Sequence, residues 1–264
     1  MKLHLSPIIH LNALVSLVLL IMTSVSMAAT PSLEIEGNPE EQGLVETYYD
    51  PQSLVELHVR QDNLADYKTR RETHGVYFGI NYENYIPVSF VSANDGKTYN
   101  ELFNGDSISI LSLLIDYKFN FVLGSIALGG SAGMGSISDN RSGDTRTLEV
   151  TKYMGTLKYT IDNLMKEPYV APYVGFSMYQ MELNDKSTTS SISESTPTSY
   201  AYTLGLLLQL DWLDNDTAKS ATFNYGLENT FLDVFMSQYL SSGGDADANM
   251  ETDPIWGVGL RMEF

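Results

Sequence analysis

The chain has 264 residues, no cysteine and a formal charge of -18, from 15 Lys and Arg against 33 Asp and Glu. Acidity of this degree argues against a nucleic-acid partner, which needs a basic footprint. The absence of thiols is compatible with an oxidising envelope.

Residues 1–29 have the layout of a secretory signal peptide. Lys2 supplies the positive start, Leu11 to Met22 the apolar core, and Ser26-Met27-Ala28-Ala29 the small-residue cleavage site. The apolar core is short for a membrane anchor. No later run is long enough for a transmembrane helix, although barrel strands alternate and leave no signal of that kind. Residues 30–74 form a polar lead. Within it, Asp50-Pro51 with Leu54, Leu57 and Leu64 allows a short helix, while Val55, Leu57 and Val59 equally allow an extra strand.

Residues 75–264 alternate with the period of two that marks strands with unlike faces. A first strand sets Val76, Phe78, Ile80 and Tyr82 against Tyr77, Gly79, Asn81 and Glu83. After a polar stretch with Asn94-Asp95-Gly96, a second near Ile108 to Phe119 sets Leu111, Leu113, Ile115, Tyr117 and Phe119 against Ser112, Leu114, Asp116 and Lys118. A tight turn at Asn120 leads to a third, with Val122, Ile126, Leu128 and Met134 on the apolar face. A loop around Asp139 to Thr145 precedes a fourth, with Tyr153, Leu157 and Tyr159 opposite Lys152, Thr156 and Lys158.

The fifth carries Val170, Val174, Phe176 and Met178, and its Pro172 suggests an edge or bulge, since proline cannot donate to a ladder. A Ser/Thr-rich loop spans Asn184 to Ser199. The sixth runs from Tyr200 through Trp212, with Gln209 and Asp211 on the polar face. The seventh sets Phe223, Tyr225, Leu227 and Phe231 against Asn224, Gly226, Glu228 and Thr230. The last strand ends the chain: Trp256, Val258, Leu260, Met262 and Phe264 oppose Gly257, Gly259, Arg261 and Glu263.

The expected fold is therefore all-β, an antiparallel up-and-down transmembrane barrel of eight strands, or ten if the polar lead adds a pair. Connections after strands one, three, five and seven run to roughly a dozen residues or more and the others are short, as outer loops and periplasmic turns should. Glu83, Asp116, Lys118, Lys152, Lys158, Asp211, Glu228, Arg261 and Glu263 all fall on the parity opposite the apolar set. On the lipid face a Lys or Arg costs up to about 2–4 kcal/mol at the midplane, so these are expected lumen charges, with Arg261 and Glu83 as a candidate ion pair. Lipid-facing aromatics fall near strand ends, with Tyr117, Phe119, Tyr159, Trp212, Phe223 and Phe264 at one level and Tyr82, Tyr153, Tyr200 and Trp256 at the other. A soluble β-sandwich also alternates, but does not account for the signal, the even strand count and the terminal Phe264 together.

With these features, and with Pro168-Tyr169-Val170-Ala171-Pro172-Tyr173-Val174-Gly175, the chain resembles the small outer-membrane β-barrel proteins of Gram-negative bacteria. That group includes the OmpA transmembrane domain and the OmpX and opacity-type proteins. The resemblance implies an outer-membrane location among lipid and lipopolysaccharide. It also implies that Leu260, Met262 and Phe264 form the signal read by the barrel-assembly machinery.

Chemistry is not expected, and neither is a cofactor. Beyond the signal the only histidines are His58 and His74, both ahead of or at the foot of the first strand, which disfavours a lipid A-modifying or proteolytic barrel enzyme. Asp245-Ala246-Asp247-Ala248-Asn249 opens like a calcium loop, but Met250 and Trp256 stand where Gly and Glu are needed. An eight-stranded interior is just filled by side chains, and inward Tyr77, Tyr173 and Tyr179 would help to close it, so a narrow, porin-like pore is the lesser alternative. The favoured role is structural or surface-interacting, with acidic loops displayed outside and the surface ligand unidentified.

Overall fold

The computed structural model describes residues 66–139, 145–243 and 248–264. The signal peptide, His58, the helix-or-strand alternative at 50–64 and residues 245–247 of the calcium-like stretch lie outside them. Nine strands share one sheet: β1 (His74–Tyr85), β2 (Ile108–Phe121), β3 (Gly124–Asp139), β4 (Arg146–Thr160), β5 (Val170–Lys186), β6 (Ser191–Ser195), β7 (Ser199–Gln209), β8 (Asn229–Tyr239) and β9 (Ile255–Glu263).

Every pairing is antiparallel, and β1 pairs with β9 from Tyr77 opposite Glu263 to Glu83 opposite Gly257, which closes the ring. The seam extends to the last residue, where Val76 and Phe264 exchange backbone hydrogen bonds of 2.7 and 2.9 Å. Eight strands make the wall, as the alternation predicts. The ninth, β6, takes over from β7 along the same edge of β5, pairing with Glu182 to Lys186 where β7 has paired with Val170 to Tyr179. The Ser/Thr-rich stretch is thus partly strand, because β5 itself runs on to Lys186.

Pro172 sits in the wall without a bulge. Ile161 donates to its carbonyl at 2.9 Å, and the regular β4–β5 ladder stops at Thr160 opposite Tyr173. The N–H that proline lacks therefore falls where its neighbour strand has already ended. The turn between β2 and β3 holds Val122, which is not on the wall. It closes at Gly124, whose φ of 151° and proximity to the Thr160 carbonyl exclude a side chain.

The end where β1 begins and β9 finishes is termed the lower end. There the expected seventh strand is a helix. A 3₁₀ turn, Asp211–Leu213, follows β7, then α3, Asn215–Tyr225. Asp214 caps α3 by accepting from the Thr217 amide at 3.1 Å, and Gly226 at φ 67° stops it. The strand proper starts at Asn229. Its register turns Phe231 inward, against Tyr77 with ring centroids 6.5 Å apart, and Thr230 outward. The lower connection from β7 to β8 is consequently long, while on the upper side β3 and β4 stay paired as far as Asp139 opposite Arg146. Loop length does not alternate as expected. A short helix, α1 (Tyr67–Arg70), lies at the lower mouth.

At the upper end the β1–β2 connection is no polar loop. Residues 86–107 fold over the mouth, with a tight turn at Gly96 and a helix, α2 (Tyr99–Phe103), that buries Phe90, Tyr99, Leu102 and Phe103 against the barrel.

Inner packing is tight enough to require glycine. A Cβ at Gly129 would collide with the Asp116 carboxylate and the Ile115 carbonyl, and one at Gly205 with the Tyr173 ring. Gly129→Val is therefore expected to abolish the compact, unboiled gel band; a wild-type band pattern would contradict this packing.

Candidate functional site

The inner face of β9, reading upward, is Glu263, Arg261, Gly259 and Gly257, and it anchors two of three charged tiers. In the lowest, Lys118 donates to Glu263 and lies 2.8 Å from Asp162, while Arg71 binds Asp162 at 3.1 Å. Tyr67 of α1 plugs this tier from below: its hydroxyl donates to Glu263 at 2.8 Å and accepts from Lys118 at 2.7 Å. Arg71 also donates to Asn120 at 2.7 Å and to the Gly124 carbonyl at 2.8 Å.

In the middle tier Arg261 donates to Asp233 and, at 3.4 Å, to Asp116. Lys158 donates to Asp116 at 2.6 Å, and the Tyr173 hydroxyl to Asp233 at 2.8 Å. The guanidinium lies 5.4 Å from the ring centroids of both Tyr77 and Tyr173, a cation–π sandwich. Above it Lys152 donates to Glu83 and to the Tyr239 hydroxyl at 2.8 Å, and that hydroxyl donates to Glu83 at 3.1 Å.

Each tier is neutral: two cations face two carboxylates in the lower pair of tiers and one faces one in the third. Ions out of water need partners of this kind, since an unpaired one costs several kcal/mol. Between the tiers a cavity of about 40 Å³ is bordered by Asn81, Ser131 and Arg261. Asn81 Oδ1, Ser131 Oγ and Arg261 Nε have no protein partner, so the space has the volume and polarity that hold ordered water.

Of the charges assigned to the lumen from sequence, Glu83, Asp116, Lys118, Lys152, Lys158, Arg261 and Glu263 lie inside and are brought together in these tiers. Asp211 and Glu228 do not join them. Asp211 lies in the 3₁₀ turn and accepts from the Thr230 amide at 3.0 Å, and Glu228 precedes β8 and pairs with Arg70. The Arg261–Glu83 pair does not form: Arg261 opposes Gly79 and Glu83 opposes Gly257, so four residues of strand separate them. Asp233 takes that role. Alternation with Phe231 on the lipid side would put Asp233 there as well, whereas β8 has the opposite parity and turns both inward. Asp162 and Arg71 lie beyond the strands, where alternation gives no guide. His74 is at the lower end, its Nδ1 2.7 Å from the Tyr117 hydroxyl.

Above the third tier the wall turns inside out. On β5, outward Val174, Phe176 and Met178 give way to Gln180 and Glu182, while inward Gly175 and Ser177 give way to Met181 and Leu183. On β4, outward Tyr159, Leu157 and Tyr153 give way to Thr151 and Glu149, and inward Lys158, Thr156 and Lys152 to Val150 and Leu148. On β2, Leu111 is followed upward by Ser109 outside, and Ser112 by Ile110 and Ile108 inside. The upper segment thus has the polarity of a protein in water, and the segment below it that of a protein in hydrocarbon. The fold is that of a small outer-membrane β-barrel.

The upper core of this barrel joins Ile108, Ile110, Leu148, Val150, Met181 and Leu183 to the side chains brought in by residues 86–107. Polar straps hold that cap. Ser92 donates to Asp185 at 2.5 Å, and Arg146 donates to Ser92 at 2.8 Å and to Asp95 at 3.0 Å.

No family model and no curated protein matches the chain. Among solved structures it is similar to Ail, the attachment invasion locus protein of Yersinia pestis, in complex with the heparin analogue sucrose octasulfate. The TM-score is 0.43 and the identity 16%, over 73% of this chain and 100% of that one. It is also similar to Neisserial surface protein A, with a TM-score of 0.41 and 11% identity over 73% and 98% of the two chains. The β-domain of the Bordetella autotransporter BrkA gives 0.32 and 15% over 72% and 70%.

Asp233→Leu leaves Arg261 buried without its main partner and is expected to cost about 3–5 kcal/mol, read as a lower urea midpoint of the reconstituted barrel. An unchanged midpoint would refute the tier. In the cap, the Thr98 amide and hydroxyl donate to Glu101 and hold its carboxyl below the usual range. A lowered carboxyl pKa gives stability that is present above the unfolded value and is lost as pH falls through the folded one. Protease clipping within residues 86–107 should therefore rise in acid, and Glu101→Gln should weaken that dependence.

Proposed function

We propose that this chain is a non-enzymatic integral protein of the outer membrane, a closed and rigid stage that displays acidic loops on the cell surface. Residues 1–29 act as the export signal, 30–74 precede the wall on the periplasmic side, and 75–264 form the barrel. The observation that carries the reading is the reversal of sidedness along β2, β4 and β5, which sets one edge of the bilayer at the level of Leu111, Tyr153 and Met178. In this reading the upper end faces outward, because β1 begins and β9 finishes at the lower end.

The neutral tiers support a stable plug in preference to a conduit. The capped upper core supports the same conclusion. The acidic surface comes from Asp95, Glu101, Glu251 and Asp253 on the upper connections, with Glu182 on β5 and Glu194 on β6. Leu260, Met262 and Phe264 serve as the signal to the barrel-assembly machinery, and lipopolysaccharide and phospholipid are the standing neighbours of the belt.

Two measurements on the purified, reconstituted protein test this. Unboiled samples should migrate as a compact, heat-sensitive band from the outer-membrane fraction, and planar bilayers should show no unitary current. A stable open level would overturn the plugged stage, and recovery in a detergent-free soluble fraction would overturn the membrane assignment.

A further inference from the structure

The two edges of the apolar belt differ. At the upper edge the outward side chains become polar within one or two positions on β2, β4 and β5. At the lower edge they do not. Past β2 the turn carries Val122, 83% exposed, and Leu123, 69%. Past β4 the connection carries Leu164, 74% exposed, and past β7 it carries Trp212, 63%, Phe223, 58%, and Tyr225, 75%. All three connections of the lower end therefore present large apolar groups beyond the wall, and one of them is a helix of 11 residues, α3. Exposed apolar surface on this scale marks a contact.

We propose that the lower rim is a lipid-contact surface, in which the β2–β3 turn, the β4–β5 connection and α3 seat in the headgroup and upper acyl region of the periplasmic leaflet. This rests on the membrane reading above. Phospholipid is the occupant for two reasons. The surface is continuous with the lipid-facing belt, which ends at Phe119 on β2 and Tyr159 on β4. It is also spread over the connections between three separate strand pairs, as a surrounding solvent requires, whereas a docked protein would favour one side. Trp and Tyr suit that depth, with the ring in the acyl boundary and the polar edge in the headgroups, and Phe fits the acyl side of it. The rim so described resembles a flange, and it fixes how deep the barrel sits.

The chain contains only two tryptophans, Trp212 on the rim and Trp256 on the upper belt, and this makes the idea directly testable. Full-length Trp256→Phe leaves Trp212 as sole emitter, and Trp212→Phe leaves Trp256. Each is reconstituted in phosphatidylcholine vesicles whose acyl chains carry bromine close to the headgroup. Trp212 is expected to lose most of its emission and to resist acrylamide, and Trp256 is expected to be quenched by the same lipid. If Trp256 is quenched and Trp212 is not, the flange is refuted while the barrel stands; acrylamide then tells whether water or protein covers the rim. If neither is quenched, the membrane reading fails and the flange with it. Should either Phe variant fold poorly, Tyr at the same position gives the same two readings.

Discussion

The organising constraint is that an ionised side chain must keep either water or a counter-charge beside it. Below the level of Leu111, Tyr153 and Met178 the outside is apolar, so charge has only the interior to occupy, and there it must be paired. Tiers of matched sign follow from that alone. Once the strands rise above the belt, water is outside again. Charge moves outward, and the interior reverts to Leu, Ile, Val and Met. One set of strands thus obeys two opposite rules, and the level at which the rule changes is written in side chains two residues apart on the strand.

This division also explains how the interior is filled. A narrow barrel packed with ions alone would strand their polar atoms, and one packed with aliphatics alone would leave Lys118, Lys158 and Arg261 without partners. The chain uses aromatic rings as the joint between the two regimes. Tyr77 and Tyr173 flank the guanidinium of Arg261, while Tyr239 bonds Glu83 with its hydroxyl and stacks edge-on with Tyr85 and Tyr179 at 5.1 and 5.0 Å. A tyrosine offers a ring to the greasy side and a donor to the ionic one.

Period-two patterning is strong evidence where a strand is long and its two faces differ, which is why β1, β2, β4, β5 and β9 could be read from residues alone. It fails where chain direction is set by something other than a face. Phe223, Tyr225 and Leu227 alternate, yet Asp214 as a cap and Gly226 as a stop make most of that stretch a helix. Phe231 is as large as any lipid-facing residue, but it packs on Tyr77 inside the tube, and size alone could not show this. The cap is illegible in the sequence for a related reason: Phe90, Tyr99, Leu102 and Phe103 are scattered among polar neighbours. Their common destination is visible only once the mouth they cover exists. Ion-pair partners were the least legible of all, because which rungs share a height depends on strand stagger, and no local pattern records it.

Tyr67 has a binding site made of the first strands and the last one. Its hydroxyl needs Lys118 from β2 and Glu263 from β9 at once. Those two are neighbours only after β9 has zipped onto β1, so the bolt cannot slide home during assembly; it can do so only when the cylinder is already shut. The Tyr67 hydroxyl contact therefore follows the meeting of β1 and β9, although its helix precedes all the described strands in the chain, and it records that closure is complete.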